Sequence, residues 1–403
     1  MRSISRRLAL MIVTLFLAVG AARAGDAYVQ TNLVSNTPGL APVTDPNLQG
    51  AWGQSFTTNS PFWISNQASG TSTLYSVSPT QPTSASIVNL VVPITNQGNP
   101  PAVANPSTNG PTGQVAVGAP GITSQPTDFL VNGTQAHFIF ANKDGSISGW
   151  NGTNPAVIQT TVSGASFTGL ASGNLPGGGA AQLYAADHNS LSGSIDVFNS
   201  KFQMTGSFND PNFSKLPSGF TAFNVQNLNV NGTQTLFVTY ANQATAGGIV
   251  DEFTTNGTFI KTLINDPTGA HLAGPWGMAI APTSFGQFGG DLLVANDNAN
   301  AAGLTEINAY NLTTGAFDGT LTLANGQPFS EAKLWSLSFG SGAGNGGSSD
   351  VLYFTAGLNG NSGGLFGAIS AVSVPEPSSA ALGLIAASVM VGGFTWKKRH
   401  RRA

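Results

Sequence analysis

Short apolar runs separated by clusters of Gly, Asn and Pro recur along the body of the chain, and helical periodicity is nearly absent there. Runs rich in β-branched and aromatic residues, bounded by turn-forming residues, are typical of short β-strands. One stretch, Val-Asn-Gly-Thr-Gln, occurs at residues 131–135 and again, unchanged, at residues 230–234. Asn-Gly is a favoured centre for a tight hairpin turn, so each copy predicts two strands joined by that turn. The pattern therefore predicts an all-β fold with internal repeats.

Six copies of a larger unit can be aligned around these hairpins. Each copy predicts a first strand that opens on a bulky residue, an apolar second strand, and a third strand that tends to end on an aromatic residue. The opening residues are Trp52, Phe129, Phe167, Phe223, Trp276 and Trp335. The second strands are predicted at residues 62–64, 137–140, 182–185, 235–240, 291–294 and 351–354. The third strands end at Tyr75, Trp150, Phe198, Phe253, Tyr310 and Ile369. Four-stranded propeller blades repeat roughly every 40 to 50 residues, so six copies predict a six-bladed β-propeller; two packed sandwiches would explain the strands but not the repeat.

A fourth strand follows each of the first five copies but not the sixth. These strands are predicted at residues 86–94, 156–162, 201–208, 258–263 and 316–321. The strand pattern at residues 28–34 precedes the first copy and has no other partner. We therefore predict that this N-terminal strand completes the last blade and closes the ring, which removes an exposed sheet edge. Residues 95–125, rich in Pro, Asn and Gly, are predicted to form a long insertion before the inner strand of the second copy.

Residues 1–24 have the pattern of a secretory signal peptide. Arg2, Arg6 and Arg7 precede an apolar run at residues 8–19, and small residues follow in the Ala22-Arg23-Ala24 pattern. Signal peptidase is expected to cut there and leave Gly25 first. An amphipathic or transmembrane N-terminal helix is the alternative, but the apolar run is short for a bilayer that needs about 20 residues.

The other end of the chain has three elements in order. Pro375-Glu376-Pro377 is followed by an apolar stretch at residues 380–396 and a basic cluster at residues 397–402, which predicts a membrane helix with its tail in the cytoplasm. These residues closely resemble the PEP-CTERM sorting signal of Gram-negative bacteria. The resemblance implies recognition by an exosortase, cleavage near the triplet after transient anchoring in the inner membrane, and association with exopolysaccharide or biofilm in the cell envelope or outside the cell. A tail anchor that is never cut is the alternative.

The predicted organisation is a signal peptide at residues 1–24, a six-bladed propeller at residues 25–373 and a sorting signal with a single transmembrane helix at residues 374–403. Within the body, the stretch at residues 183–198 is similar to NHL-type propeller blades. The body as a whole resembles an uncharacterised family of exported bacterial propellers that carry the same sorting signal. The matching residues are Asp45-Pro46-Asn47-Leu48, Trp52-Gly53 and Pro61-Phe62-Trp63-Ile64-Ser65-Asn66. This resemblance implies fold and export, and no activity.

Charge and composition exclude several functions. Charged residues make up only 8% of the chain, against about 25% in an ordinary soluble domain. Between Arg23 and Lys397 there are five lysines, no arginine and seventeen acidic residues, a net charge near −12. Such a surface cannot neutralise a phosphate backbone, which excludes nucleic acid as a partner. Because the chain has no cysteine, disulfides, Cys-ligated zinc, iron–sulfur clusters and thiol nucleophiles are also excluded.

Polar residues recur where the second strands are predicted to end. In an antiparallel blade these ends share one face, and loops at one face of a rigid ring are where a propeller places its function. The predicted ligand-binding residues are Asn66, Asn142, Asp187, His188, Asn242, Asn296 and Asp297. Carboxylate and amide oxygens with few basic neighbours suit Ca²⁺ or sugar hydroxyls, so Ca²⁺ is the one cofactor suggested, with Asp187 and Asp297 as ligands. Alternatively, each Asn or Asp satisfies the backbone of its own turn.

No sequence motif identifies a catalytic residue: paired metal-ligand histidines, a GxSxG elbow and a phosphate-binding loop are all missing. Two hypotheses follow. The favoured one is a non-catalytic binding or matrix protein of the cell envelope, with exopolysaccharide or an envelope protein as partner. The alternative is a Ca²⁺-dependent hydrolase of the lactonase or gluconolactonase type, with Asp187, His188, Asn242 and Asp297 around the ion. Trp52, Trp276 and Trp335 are expected to pack together rather than to present sugar platforms.

Overall fold

Four-stranded antiparallel sheets arise wherever the apolar runs alternate with Gly and Asn turns. The computed structural model describes residues 27–96, 109–242, 244–298 and 305–372. Within this part of the chain, six sheets form blades around a central channel. In each blade one edge strand lies next to the channel, and we call it the inner strand. Every inner strand contacts the next one, and the last contacts the first, so the sheets close a ring. The predicted six-bladed β-propeller is confirmed.

The blades are formed by consecutive strands along the chain. Blade 1 contains β3 (Ala51–Ser55), β4 (Phe62–Asn66), β5 (Thr71–Ser78) and β6 (Gln81–Pro93). Blade 2 contains β7 (Pro111–Ala116), β10 (Phe138–Asn142), β11 (Ser146–Trp150) and β12 (Val157–Thr161), with a separate hairpin of β8 (Leu130–Val131) and β9 (Thr134–Gln135). Blade 3 contains β13 (Phe167–Asn174), β14 (Ala181–Asp187), β15 (Ile195–Asn199) and β16 (Met204–Phe208). Blade 4 contains β17 (Thr221–Val230), β18 (Thr233–Ala241), β19 (Gly248–Thr254) and β20 (Phe259–Asp266).

Blade 5 contains β21 (Pro275–Ile280), β22 (Leu292–Asn296), β23 (Ile307–Tyr310) and β24 (Phe317–Thr320). Blade 6 contains β25 (Leu334–Phe339), β26 (Val351–Ala356), β27 (Leu365–Val372) and β1 (Ala27–Ser35), with the short β2 (Val43–Thr44) beside β1. Short helical turns lie at Phe213–Lys215, Gly286–Phe288 and, as α1, Leu358–Asn361.

The N-terminal strand closes the ring as predicted. In the last sheet β1 lies beside β27 as the fourth strand of blade 6. Its side chains enter the cores on both sides of that blade: Tyr28 packs against blade 5, and Leu33 and Val34 pack against blade 1. The Tyr28 hydroxyl also donates a hydrogen bond to the backbone oxygen of Phe285 at 3.1 Å. The first strand in the chain is thus tied to both neighbours of the blade it completes.

The hydrophobic cores lie between neighbouring blades rather than at the centre of the ring. Each pair of neighbouring blades shares one cluster of buried apolar side chains. Between blades 6 and 1, for example, Phe62 lies 4.6 Å from Tyr353 and 5.2 Å from Phe366, measured between ring centroids. Because each blade is covered on both faces, its second strand contains consecutive apolar residues rather than alternating ones, as in Phe62-Trp63-Ile64 and Leu292-Leu293-Val294-Ala295. The third strands mix apolar and polar residues, as in the Thr-Ser-Thr-Leu-Tyr-Ser-Val-Ser sequence of β5.

Glycine allows the inner strands to approach one another closely. A Cβ atom at Gly53 would clash with the backbone oxygen of Thr112, and one at Gly277 would clash with that of Trp335. Hydrogen bonds also join neighbouring inner strands: the Thr168 hydroxyl donates to the Phe223 oxygen at 2.8 Å. The inner ring is therefore set by backbone contact as much as by side-chain packing.

The second blade departs from the prediction in one respect. Its inner strand is β7, which lies inside the segment 95–125 that was predicted to be an insertion. Phe129, predicted to open the inner strand, instead precedes the β8–β9 hairpin, where it packs against Phe202 at a centroid distance of 5.5 Å. The repeated Val-Asn-Gly-Thr-Gln still marks the same connection in both blades, between first and second strands. In blade 4 it joins β17 directly to β18, whereas in blade 2 it forms a hairpin of its own.

The predicted signal peptide at residues 1–24 and the sorting signal at residues 374–403 lie outside the described residues. Among the residues that are described, no helix is long and apolar enough to cross a membrane.

Candidate functional site

The two faces of the ring differ in what they expose at the central channel. We call the face where inner strands begin and second strands end the upper face, and the face where inner strands end the lower face. Strand register places the predicted polar residues at the upper face. Asn66 pairs with Ala51 at the start of β3, and Asp187 pairs with Phe167 at the start of β13. Asn142 and Asn296 occupy the corresponding places in blades 2 and 5, and Asn242 directly follows Ala241, which pairs with Thr221 at the start of β17.

Three of these asparagines are buried inside their own blades. The Asn66 side chain is fully buried, and its amide donates hydrogen bonds to the hydroxyls of Thr71 and Thr73 at 3.2 and 3.0 Å. Asn142 makes the equivalent bonds to Ser146 and Ser148 on β11. The Asn296 amide donates to the backbone oxygens of Glu306 and His271, both at 3.3 Å. In each blade this asparagine ties the end of the second strand to the chain that follows.

Two further predicted residues accept hydrogen bonds from the backbone of their own turns. One carboxylate oxygen of Asp187 accepts hydrogen bonds from the backbone N–H groups of Ser166 and Asn189, at 2.9 and 3.0 Å. The side-chain oxygen of Asn242 accepts one from the N–H of Ala244 at 2.9 Å. These are the local bonds that Asp and Asn commonly make in turns. They correspond to the alternative role considered for these residues in the sequence.

Asp297 is the buried charge of the upper face, and it is already paired. Its carboxylate lies 3.1 Å from the ammonium of Lys333, which precedes the inner strand of blade 6. Burial raises the pKa of Asp297 to about 6, while the charges of Lys333 and then Lys143 lower it. The Lys143 ammonium lies 5.9 Å from the centre of the Trp52 ring, and its burial lowers its pKa, an effect that Asp297 opposes. Two of the five lysines in the body thus lie near Asp297, one of the two carboxylates predicted as Ca²⁺ ligands.

His188 lies beside this group. Its Nδ1 is 2.7 Å from the Thr221 hydroxyl, and burial lowers the pKa of the imidazole. The charge of Lys143 lowers that pKa further, and Asp187 raises it. Among the described residues, no group of three or more His, Cys, Asp or Glu side chains is placed to hold a metal ion.

Aromatic side chains from the inner strands fill the channel below the upper face. Trp52 stacks on Trp335 at a centroid distance of 3.5 Å, and Trp276 meets both edge-on at 6.3 and 6.0 Å. Phe223 approaches Trp335 from blade 4 at 6.0 Å. All four are buried, so the prediction that these tryptophans pack together is confirmed.

A cavity of 420 Å³ lies below this cluster, at the lower face. Its wall is formed by the ends of inner strands and by the connections that follow them, including Ala119 and Ile122. The polar lining residues are amides and hydroxyls, among them Gln54, Gln114, Ser172, Asn224, Gln226 and Asn227. The apolar lining includes Phe56, Val115, Leu170, Trp276 and Phe339. None of the lining residues carries an ionisable side chain.

Neither this cavity nor Lys333 was predicted from the sequence. One signal was present: a side-chain amide follows the opening residues of three inner strands, in Trp52-Gly53-Gln54, Thr112-Gly113-Gln114 and Phe223-Asn224-Val225-Gln226. Gln54 and Gln114 lie at matched places in the neighbouring inner strands of blades 1 and 2, and this match would have indicated a polar mouth of the channel. Without the inner strand of blade 2, however, the match could not be made.

These sheets, their ring closure and the blocked channel define the class of the protein as a six-bladed β-propeller. No family model matches the chain. An uncharacterised protein of Acanthamoeba polyphaga mimivirus, R640, is 28% identical over 176 residues, which is 39% of this chain and 30% of that protein. The chain therefore spans less than a third of the length of this relative.

Three solved structures resemble the chain at a distance. The Dos1 propeller is 8% identical with a TM-score of 0.40, over 76% of this chain and 70% of that one. A Bacteroides caccae protein of unknown function is 16% identical with a TM-score of 0.40, over 73% and 82%. A suggested gluconolactonase is 15% identical with a TM-score of 0.29, over 58% and 84%. Similarities at this level carry no argument about activity.

Proposed function

We propose that the protein is an exported, non-catalytic binding propeller of the cell envelope, with exopolysaccharide or an envelope protein as its partner. This proposal rests on the contacts that Asp187 and Asp297 make. These are the two carboxylates that the hydrolase alternative requires. Asp297 is paired with Lys333, and Asp187 accepts hydrogen bonds from its own turn. A Ca²⁺ ion at the upper face would have to displace an ammonium group and compete with a second one at Lys143. Binding without metal chemistry fits these contacts better.

Export is part of the proposal and rests on the two chain ends. The signal-peptide pattern at residues 1–24 would send the chain across the inner membrane, and the Pro375-Glu376-Pro377 triplet, with the apolar stretch and basic tail that follow it, is the proposed substrate of an exosortase. The protein is then anchored transiently and released to the envelope or the exterior.

We expect the mature protein to begin near Gly25 and to lack residues 397–402 in a host that has an exosortase. Intact-mass measurement of protein from the envelope and from the medium tests this. A mature species that retains the basic tail in that host would contradict the cleavage but would not contradict export by the signal peptide.

The binding function is tested against the hydrolase with the purified full chain. We expect it to co-sediment with exopolysaccharide from its host and to leave a panel of lactones unhydrolysed in the presence of Ca²⁺. Lactone turnover that requires Ca²⁺ and is lost in both Asp187→Ala and Asp297→Ala would establish the alternative. A chain that neither binds polysaccharide nor captures an envelope protein would contradict the proposal.

A further inference from the structure

The cavity at the lower face is a blind pocket at the centre of the ring. Trp276 forms part of its wall and belongs to the aromatic cluster that fills the channel above. Its volume of 420 Å³ lies within the range of about 300 to 1,000 Å³ found for small-molecule sites. A ligand could enter from the lower face only and would be surrounded by inner strands from several blades.

The wall selects against charge. No acidic, basic or histidine side chain lines the cavity, so a charged ligand would lose its hydration without gaining a counter-ion. The body of the chain has few charges, but the upper face places Lys143, Lys333 and Asp297 at the channel. The lower cavity is therefore the uncharged end of the channel, and a neutral ligand is the one it suits.

The amides of the wall are held in fixed orientations. The nitrogen of Gln54 donates to the Ser338 hydroxyl at 2.8 Å and to the Tyr353 backbone oxygen at 2.9 Å. The nitrogen of Asn227 donates to the Ser172 backbone oxygen at 2.9 Å. Since a carbonyl oxygen can only accept, these bonds fix which end of each amide is nitrogen.

The same two amides leave buried acceptors unused. Neither Oε1 of Gln54 nor Oδ1 of Asn227 has a hydrogen-bond donor among the described residues, although both are shielded from solvent. A buried acceptor without a partner is unfavourable, and because neither oxygen has exposed surface, a ligand donor reaches it only where the amide shifts toward the cavity. Hydroxyl and amide N–H groups are neutral donors that suit this wall, whereas an ammonium donor would bring a charge that the wall does not balance.

The wall also has apolar side chains, including Phe56, Leu170 and Phe339, beside its amides and hydroxyls. A sugar ring combines hydroxyl donors at its edge with C–H groups on its faces, and aromatic and aliphatic walls cover such faces well. From these features together we propose that the lower cavity binds a neutral saccharide unit, of one or two rings. This inference names a ligand class and a site for the proposed binding function, and it places the site opposite the predicted upper-face residues.

The test titrates the purified full chain with neutral saccharides and follows binding by ligand-observed saturation-transfer NMR. The panel contains glucose, galactose, mannose, N-acetylglucosamine and their disaccharides, with glucuronic acid and glucosamine as charged analogues. We expect at least one neutral saccharide to bind saturably, and the charged analogue of the same ring to bind at least about tenfold more weakly.

Two matched variants locate the site. Ala119→Trp places a bulky ring on a connection that lines the cavity, where Ala119 is half-buried against the core between blades 1 and 2, and should weaken binding at least about tenfold. Ala270→Trp makes the same change at an exposed position that does not line the cavity, and should leave binding unchanged. Melting curves of both variants confirm that each is folded.

The inference is overturned if no neutral saccharide of the panel binds saturably, if the charged analogues bind as well, or if Ala119→Trp binds like the wild type. Failure of the inference can be told apart from failure of the proposed function. If Ala119→Trp still co-sediments with exopolysaccharide as the wild type does, the protein binds polysaccharide by another surface.

Discussion

Leu33→Asp should unfold or oligomerise the protein, whereas Val29→Asp in the same strand should leave its melting temperature nearly unchanged. Both residues belong to β1, but Leu33 is buried between blades 6 and 1 and Val29 is 41% exposed. Burying a carboxylate there removes a core side chain and strands a charge, at a cost of about 4 kcal/mol or more. That is a large share of the 5 to 15 kcal/mol that holds a typical domain together.

Deletion of Ala27–Ser35 should have a still larger effect, because it removes Tyr28, Leu33 and Val34 from two cores and exposes the edge of β27. Burial of three such side chains is worth roughly 5 to 9 kcal/mol before any ladder hydrogen bond is counted. Thermal unfolding and size-exclusion chromatography measure both effects, and a synthetic peptide of residues 27–35 should restore the deleted protein in part.

A loop replacement is the control for chain shortening. The Asn96 amide donates to the Asn109 backbone oxygen at 3.0 Å, so a short Gly-Ser linker can replace residues 97–108 without moving its ends. Shortening such a connection should change stability by about 1 kcal/mol or less. Equal melting temperatures for this variant and the β1 deletion, or for Leu33→Asp and Val29→Asp, would contradict closure by the N-terminal strand.

Stability should fall as the pH rises from about 4 to 7, with Asp251 in blade 4 as a main cause. Its side chain is fully buried in β19, and neither carboxylate oxygen has a hydrogen-bond partner at ordinary geometry among the described residues. Burial raises the pKa of Asp251 from 3.8 to about 7; the nearby Thr262 hydroxyl lowers it, and the Asp210 carboxylate raises it. Burial, together with the Asp251 and Asp210 carboxylates, also raises the pKa of the neighbouring Tyr240 phenol.

The direction of this pH dependence follows from a comparison of the folded and unfolded states. The unfolded chain releases this proton near pH 3.8, while the folded chain keeps it to about pH 7, so ionisation favours unfolding. The contribution of Asp251 to stability is complete below about pH 4, declines between pH 4 and 7, and is lost above pH 7. Release of one proton over this pH interval lowers the free energy of unfolding by about 4 kcal/mol. Asp196, whose pKa burial raises to about 6, acts in the same direction.

Asp251→Asn should therefore flatten the dependence and stabilise the protein at pH 8 by about 2 to 4 kcal/mol, since a neutral amide replaces a buried charge. Chemical unfolding between pH 4 and 8 measures this. Asp350→Asn is the control, because it removes a carboxylate from an exposed position. A wild-type curve that rises between pH 4 and 7, or equal curves for the two variants, would contradict a buried neutral Asp251.

The strands could be predicted from the sequence where both faces of a blade are buried. The second strands lie between two cores, so β18 is buried from Thr235 to Ala241 and contains the apolar run Leu236-Phe237-Val238. The inner strand β7 is also buried along its whole length, but its sequence does not show this. Its sequence, Pro-Thr-Gly-Gln-Val-Ala, has no bulky opening residue, and its position is fixed by close approach of Gly113 to the backbone of Leu170.

For the upper-face residues, antiparallel geometry predicted that they lie at strand ends and share one face of the ring. It did not predict the direction in which each side chain points. Asn66 and Asn142 turn into their own blades, where hydroxyl groups accept from their amides. Whether Asn or Asp at a strand end meets its own turn or a ligand depends on neighbours two to seven residues away, which composition does not reveal. The lower cavity joins residues of different blades, such as Gln54 and Asn227, that no local pattern connects.

The most direct test of the account is hydrogen–deuterium exchange of the full chain with and without its tightest neutral saccharide. We predict slower exchange on binding in the connections that border the lower cavity, at residues 117–123 and 340–342. Exchange at residues 142–145, 187–190 and 296–298 on the upper face should not change. Protection confined to the upper-face segments, with none at the cavity, would contradict the account and return the ligand to the residues that the sequence pattern favoured.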